Sequence, residues 1–226
     1  DWLLWISPDY IGNNNIFFGE YMILALFDFD GTITTDDSLI KFIRFVFGNT
    51  KFIWGMTLLS PMLILYKLKF IPNYKAKQMM ISYFFRGMDE HQFKKVTEEY
   101  SLDHIDTILR AKAMQKIAWH KEQSHKIVVV SASIECWLKP WCDKNALDLI
   151  ATKIEMKDAH ITGKLLTKNC YGIEKVNRVK ELYNLNDYNY IYAYGDSSGD
   201  KELLAIADES FYKPFRMNSF CNSLFS

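Results

Sequence analysis

The stretch "LFDFDGTITTDDS" (26–38) closes an apolar run with two aspartates one residue apart, followed at once by Gly-Thr. Side chains two apart on an extended segment point the same way, so Asp28 and Asp30 face one small volume while Phe29 turns aside. Two carboxylates placed there are costly unless a cation or a shared proton relieves them. Taken alone, the pattern also suits a solvated turn with incidental acids. Its surroundings decide between the two.

"MILALF" (22–27) is a short, fully apolar run of the kind that forms a buried parallel strand. "KIVVVSAS" (126–133) and "YIYAYGDSSGD" (190–200) are two more, each ending in small polar or acidic residues. Helical patterns lie between them, and this alternation predicts an α/β fold with a Rossmann-like parallel sheet. Ligands of such sheets bind beyond the carboxyl ends of the strands, where all three runs carry their polar clusters.

Residues 38–122 are helical in pattern, punctuated by Gly48, Pro61, Pro72 and Gly87. Asn73 and Asp89 precede helical runs, with Gln92 placed as a capping-box partner of Asp89. A block of this length between two sheet strands exceeds a simple crossover and predicts an inserted, all-helical cap. The core domain is then 22–37 with 123–214, leaving 215–226 as a C-terminal tail. Residues 148–168 read as a small hairpin, and 172–185 as a helix with Val176, Val179 and Leu182 on one face.

The chain of 226 residues is 49% hydrophobic and 24% charged, enough to bury a real core. Its formal net charge is zero, which gives no nucleic-acid footprint. Cys136, Cys142, Cys170 and Cys221 form no CxxC pair and no zinc spacing, and read as reduced thiols of a cytosolic protein. Residues 1–21 contain no Lys or Arg and so lack the basic region of a signal peptide. With Met22 opening the first strand, they read as an upstream extension outside the core. No feature of the sequence specifies an oligomeric state.

The Asp pair is not isolated. Ser131 follows "KIVVV", Asp196 and Asp200 lie in "GDSSGD", and Lys175 lies at the start of a helix in "GIEKV". Together they supply acids for a hard cation, a hydroxyl and an ammonium for an oxyanion, and an acid beside a nucleophile. Magnesium prefers such oxygen ligands, and phosphoryl transfer needs positioning and charge neutralisation above all.

In these four stretches, "FDFDGTIT", "VVVSAS", "GIEKV" and "YGDSSGD", the sequence resembles the haloacid-dehalogenase (HAD) superfamily of phosphatases. Their order and spacing fit the phosphoserine-phosphatase-like subfamily IB branch, which also includes bacterial phosphatidylglycerophosphate phosphatase, across roughly 22–214. The resemblance implies that Asp28 is the nucleophile that forms an aspartyl-phosphate, and Asp30 the general acid and base. It implies Mg2+ as cofactor, with Asp28, Asp196, the backbone carbonyl of Asp30, and Asp200 as a ligand or as an orienting group. Ser131 and Lys175 would bind the phosphoryl group, and Gly31 and Thr32 would offer it backbone amides. Two positions depart from the branch: Gly199 stands where an Asn is usual, and Ile134 where a proline often follows the second motif.

For the substrate, Asp37 falls where phosphoserine phosphatases bind an amino group, while Arg86 and Arg44 are candidates for meeting a carboxylate. From Ser38 to Met88 there is no acid, and eight basic residues, including Lys51, Lys67 and Lys69. The uncharged run 52–66 would reach only about 22 Å as a helix, short of the ~30 Å hydrocarbon core, and Pro61 is expected to interrupt it. Such a segment suits either a buried cap helix or one lying in an anionic membrane surface. Three functions therefore stand open. The first is a cytoplasmic hydrolase of a small phosphate ester such as phosphoserine. The second is a lipid phosphate phosphatase peripheral on the inner face of the membrane. The third is a catalytically silent module that binds phospholigands.

Overall fold

The structure, a computed structural model, describes residues 22–216, so the expectations for 1–21 and Cys221 lie outside the described residues. Strand β1 (Ile23–Phe27) is central in a five-stranded sheet. β2 (Lys126–Ile134) and β6 (Tyr190–Gly195) flank it, and β3 (Asp148–Thr152) and β7 (Glu209–Tyr212) form the edges. Every neighbouring pair is parallel. Phe27 pairs with Val129 on one side and Tyr194 on the other, so β1 and β6 end almost level while β2 runs on to Ile134.

Side-chain alternation explains why β1 is apolar throughout. Ala25 and Phe27 face one core, with Val129, Tyr194 and Trp141. Leu24 and Leu26 face the other, with Val128, Val130 and Ala193. A strand covered on both faces has no place for a polar residue until its end, and each large apolar side chain buried contributes about 1.5–3 kcal/mol. On the second face lie α6 (Ile173–Leu182) and α7 (Lys201–Ala205).

Helices α1 (Ser38–Lys67), α2 (Asn73–Phe85), α3 (Glu90–Asp103) and α4 (Ala111–Glu122) follow β1, and α5 (Glu135–Lys144) follows β2. α1 bends at Gly48, whose φ of 71° is accessible to glycine without strain. Its outer half packs on α2 so closely that a Cβ on Gly55 would lie 2.3 Å from the Phe84 ring. An antiparallel hairpin, β4 (Ile154–Lys157) with β5 (His160–Leu165), lies against α2.

Several expectations change. α4, placed in the cap by its helical pattern, packs on the sheet: its His120 ring meets Phe27 edge-on, and its Nε2 is 2.9 Å from the Tyr194 hydroxyl. Amphipathic periodicity shows that a helix has a buried face, not what covers that face. The segment 148–168 is no single hairpin, since β3 joins β2 and only β4 and β5 pair with each other. No Gly or Pro separates Thr152 from Ile154 to mark the change of partner. Pro61 lies inside α1 on the solvent side, where water can meet the carbonyl that it leaves without a donor. Asn73 is the first residue of α2 rather than its cap, while Asp89 does cap α3, accepting from the amides of His91 and Gln92. Leu182 is exposed, unlike Val176 and Val179. The assigned tail begins too early: Phe215 is buried and stacks on Phe27 and Tyr194.

His120 and His125 share a 2.7 Å Nδ1–Nδ1 contact beneath Tyr194. Burial, then the neighbouring charges of His125 and Lys116, push His120 down to about 3. The unfolded chain takes up that proton near pH 6.5 and the folded one does not, so this site loses stability as pH falls from about 6.5 toward 3. His120→Gln should therefore be less stable than wild type at pH 7.5, and the gap should narrow on titration to pH 4.5. Denaturant melts at both pH values check this; a gap independent of pH would contradict it.

Candidate active site

The cluster at the sheet edge is built from strand ends. Asp28 is the first residue after β1, its amide donating to Tyr194 O at 2.9 Å, and it is only 6% exposed. Lys175 reaches it from the first turn of α6 through the core. Its Nζ donates to Asp28 Oδ1 at 2.6 Å, Asp200 Oδ1 at 2.7 Å and Val130 O at 2.7 Å. Three acceptors use all three ammonium protons.

Burial drives the Asp28 carboxyl up to about 6, against the charge of Lys175. For Lys175 itself burial opposes the charged form, but Asp28 and Asp200 outweigh it and raise the ammonium above its ordinary value. Asp200 lies below the usual carboxylate range because Lys175 and Ser197 overcome its burial. Asp30 Oδ1 accepts the Ser38 amide at 2.7 Å, and burial, then the charge of Asp37, raises its carboxyl to about 7.

Asp28, Asp196 and Asp200 each present a carboxylate oxygen, all within 4.8 Å of one another. A hard-oxygen set of this kind fits Mg2+. Asp200, however, is fully engaged. Lys175 holds Oδ1, while the amides of Asp196 and Ser197 and the Ser197 hydroxyl hold Oδ2 at 3.1, 2.9 and 2.8 Å. That favours an orienting role. Asp196 Oδ2 meets Arg216 Nη2 at 2.6 Å, from the segment that the sequence had assigned to a tail.

The remaining residues divide. Asp28, Asp30, Asp37, Lys175, Asp196 and Asp200 line one cavity of about 320 Å³. Ser131 lies beneath it, fully buried, its hydroxyl accepting the Ser133 amide at 3.0 Å; Ala132 and Ser133 reach the cavity wall instead. Thr32 donates its hydroxyl to Asp28 Oδ2 at 3.1 Å. Gly31, at φ +83°, lets Asp196 approach: a Cβ there would be 2.5 Å from its Oδ2.

Arg86 is not brought to the site. It lies after α2 and lines a separate depression with Gln78, Ser82 and His160, while Arg44 stacks on the Phe52 ring. The cation that does enter from the cap is Lys77, which the sequence reading did not single out. Its Nζ donates to Ala132 O at 2.5 Å and Asn169 Oδ1 at 2.9 Å, and burial lowers it to about 8 against the charges of Asp30 and Asp37. The signal was available, because Lys77 lies on the stripe of Ala76, Met80 and Ile81 that α2 buries. Both family departures have local partners. Gly199 lies under Tyr171, whose ring would be 2.2 Å from a Cβ, and Ile134 is buried in the core.

Known proteins resemble the chain in sequence and in fold. Protein CicA of Caulobacter vibrioides is 34% identical over 201 residues, covering 88% of this chain and 89% of CicA. A Mycobacterium tuberculosis protein named "Probable phosphatase" is 32% identical over 134 residues, 58% of this chain and 46% of that one. A Bordetella pertussis protein of unknown function superposes with a TM-score of 0.74 at 22% identity, covering 84% of this chain and 88% of that one. A substrate-bound phosphoserine phosphatase does so at 0.63 and 16%, covering 84% and 85%. The family model of haloacid dehalogenase-like hydrolases matches residues 25–205, from β1 through the Asp196–Asp200 turn to the end of α7. The chain belongs to the haloacid dehalogenase-like hydrolase family.

Proposed function

We propose that the protein hydrolyses small phosphomonoesters through a phosphorylated Asp28. The observation that carries this reading is a buried carboxylate, held by Lys175, at the wall of a cavity that Asp30, Asp196 and Asp200 also line. One of the solved structures of similar fold is a phospho-aspartyl intermediate analogue of phosphoserine phosphatase, at a TM-score of 0.62 and 16% identity, covering 84% of this chain and 86% of that one. That likeness supports the reading.

In the first step an Asp28 oxygen attacks phosphorus, the bond to the ester oxygen breaks, and Asp30 gives its proton to the departing oxygen. In the second, Asp30 takes a proton from water as that water attacks phosphorus, and the Asp28–phosphorus bond breaks to release phosphate. An Asp30 carboxyl raised to about 7 suits a group that gives and then takes a proton near neutrality. Lys175 and Thr32 fix the Asp28 carboxylate throughout. Asp28 and Asp196, oriented by Asp200, would hold Mg2+, which supplies positive charge to the phosphoryl oxygens when bound.

The cap side of the cavity supplies two opposite charges, Asp37 and Lys77. They suit a phosphorylated substrate that carries both an ammonium and a carboxylate, the chemistry of a phosphoamino acid such as phosphoserine. Lys77 would take the place that the sequence reading gave to Arg86.

With an aryl phosphate as substrate, Asp28→Asn should abolish turnover, and Asp30→Asn should lower it by about 10²–10⁴-fold. Exhaustive chelation should remove activity and added Mg2+ restore it. Near-normal rates in Asp28→Asn would overturn the mechanism, and indifference to chelation would overturn the metal assignment.

Lys77→Met should raise KM for phosphoserine about tenfold or more while changing KM for the aryl phosphate less, because only phosphoserine carries a carboxylate. Equal effects on both esters would remove Lys77 from substrate selection.

A further inference from the structure

The outer half of α1, beyond the Gly48 kink, has one stripe buried against α2, including Phe52, Gly55 and Met62. The opposite stripe faces solvent and is almost wholly apolar. Trp54 is 72% exposed, Leu58 67% and Ile64 58%, and the chain after the helix adds Leu68 and Phe70, the latter at 75%. Thr57 and Ser60 provide the hydroxyls on that side. Surface helices carry charged and polar residues on their outward face, and a contiguous apolar patch rimmed by polar groups marks an interaction surface.

The rim carries charge of one sign. Lys51 and Lys67 flank the stripe, Lys69 and Lys75 follow, and no Asp or Glu occurs between Ser38 and Met88. We propose that this face docks the protein in the plane of an anionic membrane surface, with the apolar stripe entering the lipid boundary and the lysines meeting headgroups. The helix would lie on the bilayer rather than cross it: among the described residues no helix is long and apolar enough to span one. A second copy of the chain is a poorer occupant, because a twofold contact through this face would bring two lysine rims together. The proposal is independent of the phosphatase reading.

Co-sedimentation of the full chain with vesicles tests it, comparing phosphatidylcholine alone with phosphatidylcholine–phosphatidylglycerol mixtures at low and high salt. At low salt the anionic vesicles should bind about tenfold or more tightly than the neutral ones, and binding should decay as salt rises. Leu58→Glu should lower vesicle affinity about tenfold or more. The pair Lys67→Glu and Lys69→Glu should do the same, and it keeps the test decisive if the Leu58 variant fails to fold. Activity on a small aryl phosphate should be unchanged in each folded variant. No binding at low salt, or equal binding to neutral vesicles, would overturn the proposal. So would a dimer that Leu58→Glu dissolves in a protein that ignores vesicles.

Discussion

Lys175 Nζ lies within 2.7 Å of Asp28, Asp200 and the Val130 carbonyl, where β1 and β6 end beside the middle of β2. A single ammonium thus ties three parallel strands and α6 together in a place closed to solvent. Removing one partner from a buried ion cluster typically costs about 3–5 kcal/mol, because the remaining charges are left without compensation. Two carboxylates at the wall of a cavity persist here because this cation sits between them. With β1 between β2 and β6, the three groups that Lys175 holds converge at one place.

Small residues then set how closely the acids approach. Gly31 leaves room for the Asp196 carboxylate, and a Cβ on Gly195 would lie 2.5 Å from the Asp200 Cβ. Asp200 spends its acceptors on Lys175 and the Asp196–Ser197 turn, and so holds the other two acids in place. On the proposed reading, this division of labour would leave Asp28 and Asp196 as the carboxylates that meet a metal and a phosphate. The cap adds Lys77 to the same cavity, so on the proposed reading substrate selection and phosphoryl chemistry would come from different layers of the fold.

Much of this is legible in the sequence, for identifiable reasons. The runs at 22–27, 126–133 and 190–195 are apolar on both alternating faces, which only a sandwiched parallel strand requires, and their polar ends locate the site. Asp28, Asp30, Asp196 and Asp200 were placed from such ends and Lys175 from the start of a helix, and the structure brings all five to one cavity. The edge strands carry weaker signals: β7 is mostly exposed, and β3 opens with two half-buried residues. The layer to which α4 belongs depends on what its apolar face meets, which no helical period records. Arg86 was chosen for its charge type alone, whereas Lys77 reaches the cavity from the buried stripe of α2, a matter of helix rotation. Ser131 shows a further limit: the motif locates the right strand, but it is Ala132 and Ser133, still within β2, that reach the wall.

The central claim is that Asp28 becomes covalently phosphorylated. Mass spectrometry of Asp30→Asn, quenched soon after mixing with an aryl phosphate and Mg2+, tests it most directly. Without the proton carrier that activates water, the phosphorylated enzyme should accumulate, and peptide mapping should place one phosphoryl group on Asp28. Continued turnover with no modified peptide, or a phosphoryl group on any other residue, would contradict the account.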